Sequence, residues 1–160
     1  MGQTLIFPGQ GSQAVGMGRE LAQSYSEARE VFEAVDAALG QNLSALMWDG
    51  PSDELTLTEN AQPALMAVSL AVVRVLESRG LNLEKNTSYL AGHSLGEYAA
   101  LTAGGALTLD DTAKLLKLRG QAMQRAVPVG VGAMAALLGL DFDTVIEIAA
   151  QTSKDGEICG

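Results

Sequence analysis

The chain has 160 residues, 48% hydrophobic and 18% charged, with a formal net charge of −9. That length is enough to bury a core, and the apolar share excludes intrinsic disorder. The acidic balance argues against non-specific binding to nucleic acid. The single cysteine, Cys159, excludes an internal disulfide or a thiolate-built zinc site, while the single histidine, His93, excludes a multi-histidine metal site and allows at most one imidazole base.

Membrane and export readings find little support. The longest near-apolar run, 64–76, is shorter than the roughly 20 residues a span needs, and Arg74 interrupts it. The N-terminus has no basic stretch ahead of its short apolar patch, as a signal peptide would. Gly2 follows Met1, but Ile6 stands where a myristoylation motif has Ser or Thr. A soluble cytoplasmic protein, with no membrane or metal partner, is the expectation.

In chain order, short apolar runs alternate with helical patterns, the mark of an α/β fold. Residues 4–7 predict a first buried strand, stopped by Pro8 and the turn 9–13. Helices are predicted from about Met17 and over 26–39, the latter with Ser26 as N-cap, Gly40 as its stop, and Val31, Phe32, Val35 and Leu39 facing the core. Residues 43–59 read as short helical turns and surface loop. Pro63 opens an apolar helix over 64–78, ended by Gly80 and expected in the middle of the fold. Residues 81–87 form a polar connection, and 88–91 a second buried strand. A small-residue helix over 97–103 is broken by Gly104-Gly105. Thr108 and Asp111 form a capping box that starts a helix running to about Ala126. After Pro128, Gly130 and Gly132, residues 133–140 predict a strand, and Asp141 or Asp143 caps a helix over 144–151. That last pair, following a Pro/Gly hinge, cannot bury both its faces alone and reads as the start of a second lobe.

Three features carry possible chemistry. The first is Gly92-His93-Ser94-Leu95-Gly96, a G-x-S-x-G pattern between a strand and a helix, the setting of a nucleophile elbow. Gly92 and Gly96 suit a turn too tight for a Cβ; Ser94 at its apex projects a hydroxyl. Leu95 offers a helix-N-terminal N–H to an oxyanion. His93 adjoins Ser94, and neighbouring side chains at a strand end point to opposite sides. It therefore reads as a structural imidazole packed or hydrogen-bonded beneath the elbow, leaving the serine without a base. The second feature is Gly9-Gln10-Gly11-Ser12-Gln13-Ala14. It imitates a dinucleotide-binding turn but lacks the acidic residue at the end of a second strand. Its better use is to bring the Gln10 amide beside Ser94, the alternative being a turn residue bonding its own backbone. The third is the basic group Lys114, Lys117, Arg119 and Arg125, within which Arg119 is partly buried by its apolar neighbours. A buried guanidinium needs a carboxylate or phosphate, either an internal Asp or Glu or a ligand.

Phe7-Pro8-Gly9-Gln10-Gly11-Ser12-Gln13, Gln62-Pro63-Ala64-Leu65, Gly92-His93-Ser94-Leu95-Gly96-Glu97-Tyr98 and Leu118-Arg119-Gly120-Gln121-Ala122-Met123 occur in that order. Together they resemble the malonyl-CoA:acyl carrier protein transacylases of fatty acid synthesis, from about Thr4 onward. Acyltransferase domains of polyketide pathways share the elbow, and a serine esterase or thioesterase of α/β-hydrolase type is the other enzymatic reading.

The resemblance implies a ping-pong transfer. Ser94 would take malonyl from coenzyme A, and the phosphopantetheine thiol of acyl carrier protein would receive it. Gln10 and the Leu95 N–H would form the oxyanion hole, and Arg119 would hold the malonyl carboxylate. No cofactor is implied, since malonyl-CoA is itself a substrate, and the full-length protein would be a monomer. The implied fold is an α/β-hydrolase-like parallel-sheet core over 1–126, with 127–160 opening an inserted ferredoxin-like lobe. Members are about twice as long, with a catalytic histidine and a further glutamine in the second half. The expectation is thus a fragment, inactive alone.

Overall fold

The computed structural model of the chain describes residues 2–127, 130–132, 135, 137–153 and 159. The chain divides into two compact units, Met1–Val127 and Pro128–Gly160. In the first, β1 (Gln3–Phe7) is followed by α1 (Arg19–Ser24), α2 (Ser26–Leu39), α3 (Leu43–Asp49), α4 (Ser52–Thr56), α5 (Thr58–Ser78) and α6 (Leu83–Asn86). Then come β2 (Thr87–Gly92), α7 (Leu95–Ala103) and α8 (Leu109–Ala126). The strands pair in parallel, Leu5 opposite Leu90 and Phe7 opposite Gly92. Parallel partners need a long crossover, which α1 to α6 provide.

The core is mainly helical. Val31, Phe32 and Val35 of α2 are buried, with Leu39 partly so, and they join Leu43, Met47, Leu55, Leu95 and Leu116 around α5. Helix α5 buries Ala61, Ala64, Met66, Ala67 and Ala71 completely, so small residues let its neighbours approach closely. It is 21 residues long and, among the described residues, the one helix apolar enough to cross a membrane by length and composition. Most of that apolar surface is buried inside the unit.

Several expected boundaries shift for identifiable reasons. Pro63 lies inside α5 rather than at its start, because the Asn60 and Ala61 N–H groups already bond the Leu57 carbonyl. The Asn60 amide also donates to the Glu54 carbonyl at 3.0 Å, stitching that first turn to α4. Ser26 is the first residue of α2, not its N-cap, which is Tyr25; Gly40 ends α2 with φ 58° as expected. The polar connection before β2 holds α6, capped by Asn82. The capping box at α8 forms: Thr108 Oγ1 accepts from the Asp111 N–H at 3.1 Å and donates to its carboxylate at 2.7 Å.

The two strands were expected to be buried, and the structure corrects this. Among the described residues they form a two-stranded sheet whose faces differ. Leu5, Phe7 and Leu90 face the core, whereas Ile6 is 76% and Tyr89 72% exposed. Successive side chains alternate between faces, and only one face is covered by this unit.

In the second unit, α9 (Phe142–Thr152) is capped by Asp141, whose carboxylate accepts from the Thr144 N–H and hydroxyl at 2.9 Å each. Of the strand expected over 133–140, residues 133, 134 and 136 lie outside the described residues, and 135 and 137–140 are not in a strand.

Candidate active site

The turn between β2 and α7 is built around two glycines. A Cβ on Gly92 would stand 2.0 Å from the Gly96 carbonyl carbon, and one on Gly96 would stand 2.3 Å from the Phe7 carbonyl oxygen. Neither position can carry a side chain without moving backbone. Ser94, between them, has φ 56° and ψ −112°, the one positive φ outside glycine among the described residues. Such a conformation costs about 1–3 kcal/mol and persists only where its surroundings enforce it. The enforcement is visible. The His93 N–H donates to the Phe7 carbonyl at 3.1 Å, tying the turn to the end of β1, and the Gly96 and Glu97 N–H groups bond back to His93 and Ser94. The result lifts the Ser94 side chain into solvent at the start of α7.

Arg119 on α8 meets this serine. Its Nη2 donates to Ser94 Oγ at 2.9 Å and its Nη1 to Gln62 Oε1 at 2.6 Å. The guanidinium carbon also lies 5.9 Å from the centre of the Tyr98 ring. Among the described residues no carboxylate lies within salt-bridge distance of Arg119, so its charge is met only by an amide, a hydroxyl and a ring face. Lys117, two residues earlier, has Glu59 at 3.8 Å. Among the described residues the expected internal carboxylate partner is therefore not found for Arg119, and its two hydrogen bonds leave other guanidinium N–H groups without a partner there. Lys114 and Arg125 are exposed on the same helix.

Gln62 carries no role predicted from the sequence, yet it is the residue that holds Arg119. Its side chain is fully buried in α5; Oε1 takes the guanidinium and Nε2 donates to Met123 Sδ at 3.3 Å. The available signal was one amide in the otherwise apolar stretch 61–67, since a buried amide demands partners.

The remaining expected positions are distributed around the turn. The Leu95 side chain is buried, and its backbone N–H forms no hydrogen bond among the described residues, as a first-turn donor should. Gln10 is exposed in the turn after β1, and among the described residues its side chain makes no hydrogen bond. That turn lies against the elbow, because a Cβ on Gly9 would stand 2.3 Å from His93 Nδ1. His93 is thus not packed beneath the elbow. It is exposed, with its imidazole beside Gly9 and no side-chain hydrogen bond among the described residues. Glycine at position 9 leaves the space the ring occupies. Among the described residues two carboxyls are held below the usual range, neither of them one of the expected site residues. Glu27 is lowered by its own backbone N–H and then by Ser78, and Asp141 by the Thr144 N–H. Among the described residues no cluster of His, Cys, Asp and Glu is able to hold a metal ion. A groove of about 590 Å³ beside β2, lined by Glu77, Leu83, Tyr89, Leu90 and Gly104 among others, includes neither Ser94 nor Arg119.

The strained serine at the strand-to-helix turn and the arginine against its hydroxyl both fall within a stretch that matches a known family. Residues 4–155 match the acyl transferase domain family, to which the chain belongs. It is 43% identical over 153 residues to the malonyl CoA-acyl carrier protein transacylase of Bacillus subtilis, covering 96% of this chain and 47% of that one. The crystal structure of an acyl-carrier-protein-S-malonyltransferase from Bartonella henselae superposes with a TM-score of 0.92 at 56% identity, over 100% of this chain and 51% of the other. A malonyl-transacylase in complex with a type II PKS acyl-carrier protein superposes with a TM-score of 0.87 at 39% identity, over 97% and 49%. The chain therefore spans about half the length of the curated relatives it matches, and its mixed α/β fold with a small parallel sheet is that of these acyltransferases.

Proposed function

We propose that this chain carries the nucleophile half of a malonyl transferase acting between coenzyme A and acyl carrier protein in fatty acid synthesis. The observation that carries the reading is the Arg119 guanidinium, without a carboxylate partner among the described residues, 2.9 Å from Ser94 Oγ. An acyl group on Ser94 that bears its own carboxylate one carbon beyond the carbonyl fits that short separation and supplies the missing anion. An acetyl group supplies none and leaves the guanidinium unmatched.

In the proposed reaction Ser94 Oγ attacks the thioester carbon as its proton leaves for a base. Charge gathers on the carbonyl oxygen, where the Leu95 N–H and the Gln10 amide donate. The carbon–sulfur bond then breaks, coenzyme A departs as the protonated thiol, and a malonyl ester remains on Ser94. The carrier's phosphopantetheine thiol repeats the attack on that ester and regenerates the hydroxyl. His93 lies towards Gly9, so the base is assigned to the histidine that the family resemblance implies beyond this chain. Residues 127–160 are read as the opening of the inserted lobe and the preceding residues as part of an α/β-hydrolase-like core, readings supported by the two compact units.

The test is a protein of the relatives' full length that carries this chain, incubated with malonyl-CoA, quenched in acid and digested. A malonyl adduct on the Ser94 peptide is expected. Arg119→Ala is expected to lower the malonyl-to-acetyl preference about 100-fold, the scale of losing a hydrogen-bonded charge pair. An adduct elsewhere, or a preference indifferent to Arg119, would overturn the reading; the second outcome is what an esterase gives.

A further inference from the structure

At one point α8 meets the start of α5 with no side chain between them. A Cβ on Gly120 would stand 2.4 Å from Glu59 Cα, 2.7 Å from Glu59 N and 2.7 Å from the Thr58 carbonyl oxygen. All three are backbone atoms, so no change of rotamer relieves the overlap. Two polar ties adjoin the contact. Lys117 Nζ donates to Gln41 Oε1 and Asn60 Oδ1 at 2.9 Å each, and Arg119 Nη1 donates to Gln62, two residues further along α5. The guanidinium is therefore carried on a stretch of helix whose depth against α5 is fixed at residue 120. That depth, through the arginine side chain, sets how far the charge stands from Ser94.

We propose that Gly120 determines the length of the acyl group this site accepts. The inference rests on the malonyl reading above and deepens it. With glycine there, the guanidinium touches Ser94 Oγ, leaving room for one methylene between the ester carbonyl and the carboxylate. Alanine would have to withdraw α8 until its Cβ stands 3.4 Å from Glu59 Cα, where ordinary contact begins, against 2.4 Å now. The difference, about 1 Å, is close to the ~1.3 Å that one methylene adds to an extended chain. Gly120→Ala should move the preference from malonyl towards succinyl.

The experiment measures binding of malonyl-CoA, succinyl-CoA and acetyl-CoA, by titration calorimetry, to a protein of the relatives' full length that carries this chain with Ser94→Ala to prevent acylation, with circular dichroism to monitor its helices. With Gly120 in place malonyl-CoA should bind tightest to that protein; if it binds no better than acetyl-CoA, the malonyl reading itself falls and takes this inference with it. Gly120→Ala should lower the malonyl-to-succinyl affinity ratio about tenfold, within the range a single methylene commands, while acetyl-CoA is unchanged. A folded variant that weakens all three ligands equally, or leaves the ratio where it was, overturns the proposal. If Gly120→Ala does not fold, Lys117→Met decides instead, since it loosens the same seam without adding an overlap. It should weaken malonyl-CoA several-fold more than acetyl-CoA, and an equal effect on both overturns the proposal.

Discussion

The helical layer and the sheet of the first unit hold their apolar side chains in opposite ways. Around α5, Phe32, Leu43, Met47, Leu55 and Met66 are at most 1% exposed. In the sheet, Leu5 and Phe7 turn towards that core while Ile6 and Tyr89 project into solvent. The helices thus hold the fold together, and the sheet serves mainly as the platform from which the Ser94 turn is launched. Phe32→Ala should break the first half of that contrast most severely. Phe32 meets Trp48 edge to face at 5.8 Å and fills the space beneath Gly18, so truncation opens a cavity with neighbours on several sides. A loss of about 3–5 kcal/mol is expected, read from urea unfolding followed by the fluorescence of the single tryptophan, Trp48.

How much of this was legible varies with how local the cause is. The helix ends at Gly40 and Thr108 follow from side chains or glycines acting within one turn, and the sequence pattern around them suffices. The elbow was legible because its glycines are demanded by backbone collisions inside a short strand–turn–helix. The unequal faces of the sheet were not, since a run such as Leu5-Ile6-Phe7 looks the same whether one face is covered or two. The bond from Gln62 to Arg119 joins residues 57 positions apart, and nothing in either local pattern specifies it. His93 illustrates the boundary between the two cases. Its alternation with Ser94 was readable, but the side it occupies depends on the gap at Gly9, which belongs to another strand end.

A smaller effect sharpens the comparison from the helical side. Thr108 holds the first turn of α8, and α8 is packed along α5 with Leu116 and Gly120 buried. Thr108→Ala removes both hydrogen bonds to Asp111 and should cost about 1 kcal/mol, seen as a lower urea midpoint with unchanged slope. Thr108→Ser, which keeps the acceptor, should restore most of the loss. If alanine is neutral, the packing of α8 rather than its cap sets the helix start.

The smallest effect belongs to the open face of the sheet. Tyr89 is 72% exposed and sits opposite Thr4, itself exposed, so its ring has little to lose on truncation. Tyr89→Ser should change stability by no more than about 0.5 kcal/mol in dilute solution, an order of magnitude below Phe32→Ala. The same substitution should raise solubility, because an exposed aromatic beside exposed Ile6 is an apolar patch. A loss above about 1 kcal/mol would mean that the ring is buried in solution by something outside the first unit. Repeating the unfolding at several protein concentrations then separates the causes. A midpoint that rises with concentration identifies another copy of the chain, and a constant one identifies cover from within the same polypeptide. Either result would convert the sheet from a platform into a second buried layer and erase the contrast with the helices.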